Sequence, residues 1–284
     1  MYGSLWNQPP FGTFAHQHED KLNVLMFAYG KDVLRDPGNY AYDFSEMHKF
    51  VKDTRSHNCA MVDDQSQCRR ARYKWNPEDI NKKANLRWNF TDTYDTTEGY
   101  YDEGYGREFI DVTHKRKAIF FKNGLEGTLP FSVIIDRLIS NDGQEHKFAV
   151  SYQTDVQPYK LYGKTYTADF GDGITFSIIG SEMPEAVVAQ KSPYWMGWRP
   201  IHSPVEHEHA PAPCLRYPCV GKEQRLITVL YPSNNGEVAI KAVECKNDVN
   251  DTVFTLTLAD GRKLTLDEKD FPVDENAPEK FLAK

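Results

Sequence analysis

The sequence predicts an all-β fold, a large antiparallel β-sandwich. Three observations predict it. Runs rich in Val, Ile, Phe, Tyr and Thr follow one another from residue 110 to residue 266. Turn pairs separate them, among them Asn123-Gly124, Asp172-Gly173, Asn235-Gly236 and Asp260-Gly261. No long helical period intervenes, so the rhythm does not build the βαβ units of a parallel sheet.

In chain order, residues 22–36 read as a hairpin. An apolar run covers 22–29, Gly30-Lys31-Asp32 supplies the turn, Val33-Leu34 starts the return and Pro37-Gly38 ends it. A short helix is expected around 46–51 and a strand over 57–62. Residues 76–106, rich in Asn, Asp, Thr, Gly and Tyr, read as short strands and long loops. Strands are then expected over 110–121, 129–138, 147–153, 173–179, 186–190, 226–231, 237–245, 252–258 and 263–266. Lys115-Arg116-Lys117 reads as the exposed face of the first of these. Residues 200–218, with His202, His207 and His209, read as a long functional loop. One domain takes in residues 1–266, and 267–284 reads as a charged, frayed tail.

Composition narrows the function. The net charge of -7 argues against general nucleic-acid binding, which wants a basic face. The 40% apolar content supports a real core. No apolar run approaches the ~20 residues that span a bilayer. The five cysteines lack zinc-finger spacing. Cys214 and Cys219 are close enough in sequence for a small-loop disulfide, but free buried thiols are the favoured reading. Residues 1–7 carry neither a basic region nor an apolar stretch of a secretory signal. An upstream domain before Met1 is expected.

The chemistry-bearing residues gather early. His16 and His18 share a face if their segment is extended, which suits metal ligation or proton transfer. His18, Asp36 and His57 offer two nitrogens and one oxygen, and three such ligands leave one zinc position open. Asp20 and Asn58 are candidates to orient the rings. A simpler account also fits: Asp36 caps the Asp-Pro-Gly turn and each histidine makes an ordinary hydrogen bond. His16 suits proton transfer near neutral pH, or packing at a strand start. Arg69, Arg70, Arg72 and Lys74 suit an acidic ligand or a solvated loop. Tyr194, Trp195 and Trp198 suit a sugar platform or the core.

Three separated motifs stand in one order: Gly12-Thr-Phe-Ala-His16-Gln-His18-Glu-Asp20, then Gly30-Lys-Asp-Val-Leu34-Arg-Asp36-Pro-Gly38, then Arg55-Ser-His57-Asn58 followed by Asp63 and Gln67. Together they resemble the heparinase II/III-like polysaccharide lyases. The likeness is dense from Gly12 to Gln67 and general in character beyond Arg72. It implies the C-terminal β-sandwich of an enzyme whose N-terminal α/α-toroid lies outside this sequence, with the cleft between the two. It implies β-elimination of an acidic polysaccharide: the C5 proton of a uronate is removed, its carboxylate is neutralised and the O4 group departs. No water is consumed, unlike two-carboxylate hydrolysis. By motif position, the resemblance implies His16 as the cleft histidine. It implies His18, Asp36 and His57 as ligands of a zinc that organises the loops. The catalytic tyrosine is implied to sit in the toroid, so weak or no turnover is expected of this polypeptide alone. A periplasmic or secreted location is implied as well. Two other functions remain compatible: a noncatalytic carbohydrate-binding or assembly sandwich, and a zinc hydrolase using metal-bound water.

Overall fold

The computed structural model describes residues 18–41, 43–68, 86–155, 157–202 and 207–277. It opens with the hairpin β1 (Met26–Ala28) and β2 (Lys31–Leu34), where Ala28 pairs with Lys31. The two turn residues between them, Tyr29 and Gly30, have φ of 50° and 77°, as the tightest hairpin turn requires. Helix α1 (Glu46–Val51) follows. Ser45 caps it by accepting from the His48 N–H, and Met47, Phe50 and Val51 form its buried stripe. A 3₁₀ turn (Thr54–Ser56), capped by Asp53, leads through His57 to β3 (Ala60–Val62).

A meander follows: β4 (Leu86–Phe90), β5 (Tyr94–Tyr101), β6 (Val112–Phe121) and β7 (Phe131–Ser140). Next come β8 (His146–Gln153), β9 (Tyr159–Tyr162), β10 (Thr165–Asp169), β11 (Thr175–Gly180), β12 (Glu185–Val187), β13 (Trp198–His202) and β14 (His207–Pro211). The chain ends through β15 (Cys214–Gly221), β16 (Glu223–Ser233), β17 (Ile240–Cys245), β18 (Val253–Leu258) and β19 (Lys263–Asp267). The widest sheet runs β4-β5-β6-β7-β16-β11-β10-β9. Smaller sheets run β12-β15-β8-β3 and β17-β18-β19, with β13-β14 as a separate ribbon. The strand pairs are antiparallel, as expected for the fold.

The wide sheet is the middle of three layers. β7 reads as a nearly continuous apolar run because both of its faces are covered. On one face Ile134 and Leu138, with Phe176, Ile178 and Leu230, pack against Phe148, Val150, Leu215 and Tyr217 of the four-stranded sheet. On the other, Val133, Ile135, Ile227 and Val229 pack against Val243, Phe254 and Leu256 of the three-stranded sheet. Each such side chain contributes roughly 1.5–3 kcal/mol by leaving water. The first interface is tightest at Gly180, where an added Cβ would fall 2.0 Å from the Tyr217 ring. Gly180→Ala should therefore lower stability by about 1–3 kcal/mol, read as a shift in the urea midpoint, because the buried tyrosine has nowhere to move.

Several expectations need correction. Residues 200–218 are not one long loop: β13, β14 and most of β15 occupy them. Prolines hid these strands. Pro200 and Pro211 lie in a two-stranded ribbon, whose outer edges need no N–H. Pro218 falls past Arg216, the last residue of β15 that β12 reaches. His209 is thus a strand residue. In β6, Lys115 is exposed, but Arg116 is wholly buried and Lys117 nearly so. The tail boundary at 267 is also too early. Asp267 ends β19, and Glu268 is buried, accepting from Arg137 at 2.6 Å and Arg225 at 2.8 Å. Residues 278–284 lie outside the described residues. All five cysteines are free thiols. Among the described residues no helix is long and apolar enough to cross a membrane.

Candidate functional site

Three segments meet at one point beside the first core. The first, from His18 to Asn23, turns sharply, with the Asn23 N–H on the Asp20 carbonyl and Leu22 at φ 66°. Gln67 holds it through both backbone groups of one residue: its Oε1 accepts from the Lys21 N–H at 2.8 Å and its Nε2 donates to the Lys21 carbonyl at 2.9 Å. The second segment follows β2. There Asp36 accepts from the Gly38 N–H at 2.8 Å, so it does cap the Asp-Pro-Gly turn. The third is His57, at the end of the 3₁₀ turn.

The turn cap is only part of what Asp36 does. Its other oxygen, Oδ2, accepts from Asn23 Nδ2 at 2.6 Å and from His57 Nδ1 at 2.8 Å. One donor atom each from Asp20, Asp36 and His57 lies within 4.8 Å of the others. The His18 ring sits 5.3 Å from the His57 ring, tilted by 47°. His57 is fully buried, and its Nε2 has no hydrogen-bond partner. A buried ring nitrogen left unpaired is costly.

The charges are mutually adjusted. Burial lifts the Asp20 carboxyl above its usual range and the neighbouring Asp36 adds to this, with His57 opposing. Burial would lift Asp36 too, but the hydrogen bond and charge of His57, the Gly38 N–H and the charge of His18 hold it below its usual range. His57 is pulled down by burial, yet Asp36, Asp20 and Asp53 outweigh this and raise it. Asp20, Asp36 and His57 thus offer oxygen and nitrogen donors of the kind a divalent metal takes, with the His18 ring next to them.

A buried polar frame holds the three segments. Asn58 accepts at its Oδ1 from the Gln153 N–H and donates to the carbonyls of Val24 and Arg35 at 2.7 and 2.8 Å. It thus ties the loops together. Beneath it, Arg116 Nη1 donates to the carbonyls of Leu22 and Asn58 at 2.8 and 2.5 Å. Asp136 on β7 fixes that guanidinium, accepting from its Nε at 2.6 Å and its Nη2 at 3.2 Å, and also accepts from His114 Nε2 at 2.6 Å. The sequence signal for this frame was present but faint. A histidine and an arginine two apart in β6 face the same way as an aspartate within the apolar run of β7.

Of the residues singled out from sequence, Asp36 and His57 touch, and His18 lies beside them. Asp20 joins the cluster as a potential ligand, which its sequence position alone did not show. His16 and the basic stretch from Arg69 to Lys74 lie outside the described residues. Trp195 and Trp198 form a half-buried aromatic pair, 5.3 Å between centroids, and Trp198 lines one concavity with Asp36.

With this geometry in place, comparison with known proteins is informative. The Heparinase II/III-like, C-terminal family matches residues 7–191. The chain belongs to this family. Solved structures of similar fold include heparan sulfate lyase HepC from Pedobacter heparinus, at TM-score 0.66 and 16% identity, covering 88% of this chain and 37% of that one. The Heparinase III-BT4657 gene product aligns at TM-score 0.65 and 18% identity, over 90% of this chain and 37% of its own. A further heparinase III aligns at TM-score 0.64 and 12% identity, over 89% of this chain and 36% of its own. At such identities these neighbours show the fold, which is that of the heparinase C-terminal β-sandwich. The family member described here spans little more than a third of their length. No curated protein matches it.

Proposed function

We propose that the chain is the metal-bearing β-sandwich of a lyase that cleaves uronate-containing acidic polysaccharide by β-elimination. The observation that carries this is the cluster of Asp20, Asp36 and His57, with His18 alongside and a buried ring nitrogen of His57 lacking a partner. Zinc fits the donor set, with His18, Asp36 and His57 as its ligands and Asp20 within reach. Bound there, zinc would join three loops and neutralise two adjacent carboxylates, a structural task. The chain's own residues do the rest. Gln67, Asn58 and Arg116 fix the loops that follow His16 in the sequence. His16 assists proton transfer or neutralises the uronate carboxylate. An α/α-toroid supplies the facing wall and the catalytic tyrosine. The enzyme acts outside the cytoplasm, in the periplasm or beyond it, where such polymers occur.

The test is ultraviolet absorbance of unsaturated uronate, with heparan sulfate, chondroitin sulfate, hyaluronan and alginate as substrates. The chain alone should give little product, and the chain joined to a toroid domain should give it readily. His16→Ala in the two-domain protein should reduce turnover about 10²-fold or more, the usual reach of proton-transfer catalysis. Undiminished turnover by His16→Ala, or cleavage that yields no unsaturated product, would overturn the proposal.

A further inference from the structure

A second concavity lies between α1 and the segment before β13. It measures about 400 Å³, within the usual size of a small-ligand site. Its walls are Lys49, Asp53 and Arg55 from the α1 side and Lys191, Tyr194 and Trp195 from the segment before β13. The acids here are already matched. Glu46, at the rim, pairs with Lys49 at 2.5 Å, and Asp53 takes Arg55 Nη1 on both oxygens, at 2.9 and 2.8 Å. Arg55 in turn covers the Tyr194 ring at 4.4 Å. That leaves Lys191 as the surplus charge. It is exposed, and among the described residues no carboxylate pairs with it. Its ammonium rests 5.1 Å from the Trp195 ring and 5.0 Å from the Trp198 ring.

The two tryptophans form a fixed surface. Trp198 Nε1 donates to the Gln190 carbonyl at 2.8 Å. The His209 ring packs on Trp195 at 5.4 Å and on Trp198 at 5.3 Å. Both tryptophans rest on Met47, Phe50 and Val51 of α1. An exposed ammonium held only by aromatic faces is weakly held, and an arriving anion attracts it more strongly. When it swings away it uncovers an indole face suited to the C–H face of a sugar ring.

We infer that this cleft binds one acidic sugar residue, with its carboxylate or sulfate on Lys191 and its ring against Trp195. The inference rests on the acidic-polysaccharide reading above for its ligand class, and on the cleft itself for its location. A neutral sugar would leave the surplus charge unanswered, and a bare anion would leave the indole face unused. The cleft adjoins the metal cluster through the 3₁₀ turn, since Arg55 in its wall is two residues before His57. A polymer seated at the cluster can therefore place a neighbouring residue here.

The experiment titrates the full chain with a heparan sulfate tetrasaccharide and with cellotetraose, read by tryptophan fluorescence and calorimetry. Zinc content is measured on every sample. The acidic tetrasaccharide should bind and quench fluorescence, more weakly in 0.5 M than in 0.05 M salt, roughly as charge screening requires. Lys191→Glu, at an exposed position that leaves the fold intact, should weaken binding at least about 10-fold without changing zinc content. Lys191→Arg should retain binding, and Trp195→Phe should fall between the two. Binding unchanged in Lys191→Glu, equal binding of cellotetraose, or no binding by the parent chain would each overturn the inference. The lyase proposal fails separately: a two-domain protein that yields no unsaturated uronate, while the chain still binds through Lys191, would keep this site and lose that function.

Discussion

Arg116→Met should lower the unfolding free energy by about 3–5 kcal/mol, the usual result of removing one partner from a buried ion pair. Arg116 and Asp136 are both fully buried, so neither charge has water to fall back on. In the parent chain, burial alone would raise the Asp136 carboxyl, but Arg116 and the His114 hydrogen bond hold it below its usual range. That stabilisation is present above the unfolded carboxyl pKa, near 3.9, and is lost as pH falls through the lower folded value. In the variant Arg116 no longer contributes. Asp136 is left with His114, which burial keeps low despite Asp136. The folded variant then takes up a proton more readily than the folded parent does. The gap between variant and parent should accordingly narrow from pH 7 to pH 5, as read by urea unfolding at each pH. The same change removes the donor to the Leu22 and Asn58 carbonyls, so the metal cluster should loosen as well. Arg116→Lys, which keeps the charge but not the fork, should recover part of the stability and less of the metal affinity. A variant as stable as the parent at pH 7 would show that the pair is not what ties the loops to the sheet.

Much of the architecture was legible because it obeys local rules. The apolar run over 129–138 announced the strand that became β7, and the short helix expected around 46–51 is α1. The first hairpin was expected as well, but its turn falls at Tyr29-Gly30 and not at Gly30-Lys31-Asp32, because Lys31 and Asp32 already pair in β2. What stayed hidden depends on contacts far apart in the chain. Nothing near Arg116 reveals that its partners are Leu22, Asn58 and Asp136, at separations of 94, 58 and 20 residues. A strand flanked by lysines on either side of an arginine reads as a wet face, and the buried acid that reverses this belongs to another strand. Prolines masked β13 to β15 because a proline forbids a ladder bond only on one side, and the sequence does not say which side is free. The ligand candidates stood out through ordered motifs, and Asp20 did not. Its approach to Asp36 comes from the turn that Gln67 holds from 46 residues away.

Chelation should give the second large effect. If zinc joins the three loops, free metal at about 1,000 times its dissociation constant adds roughly 4 kcal/mol to apparent stability, and a chelator should remove that much. The physical source is visible in the metal-free electrostatics. Burial above all raises the Asp20 carboxyl, with Asp36 adding to it, and His57 Nε2 is buried without a partner. A cation between the two carboxylates would offset the first of these. His57→Ala should abolish stoichiometric zinc and make stability insensitive to the chelator, and it should also be less stable than the chelated parent because it leaves a cavity in a fully buried site. His18→Ala should lose zinc while staying close to the chelated parent in stability. Asp20→Asn separates two roles for that carboxylate. If it binds the metal, affinity falls by a large factor; if it only crowds Asp36, the apo protein is stabilised and zinc content holds. Zinc analysis with thermal melts, with and without chelator, reads all of these together. An unchanged melt on chelation, with the same metal content in His57→Ala as in the parent, would leave the cluster as an ordinary hydrogen-bonded corner of the fold.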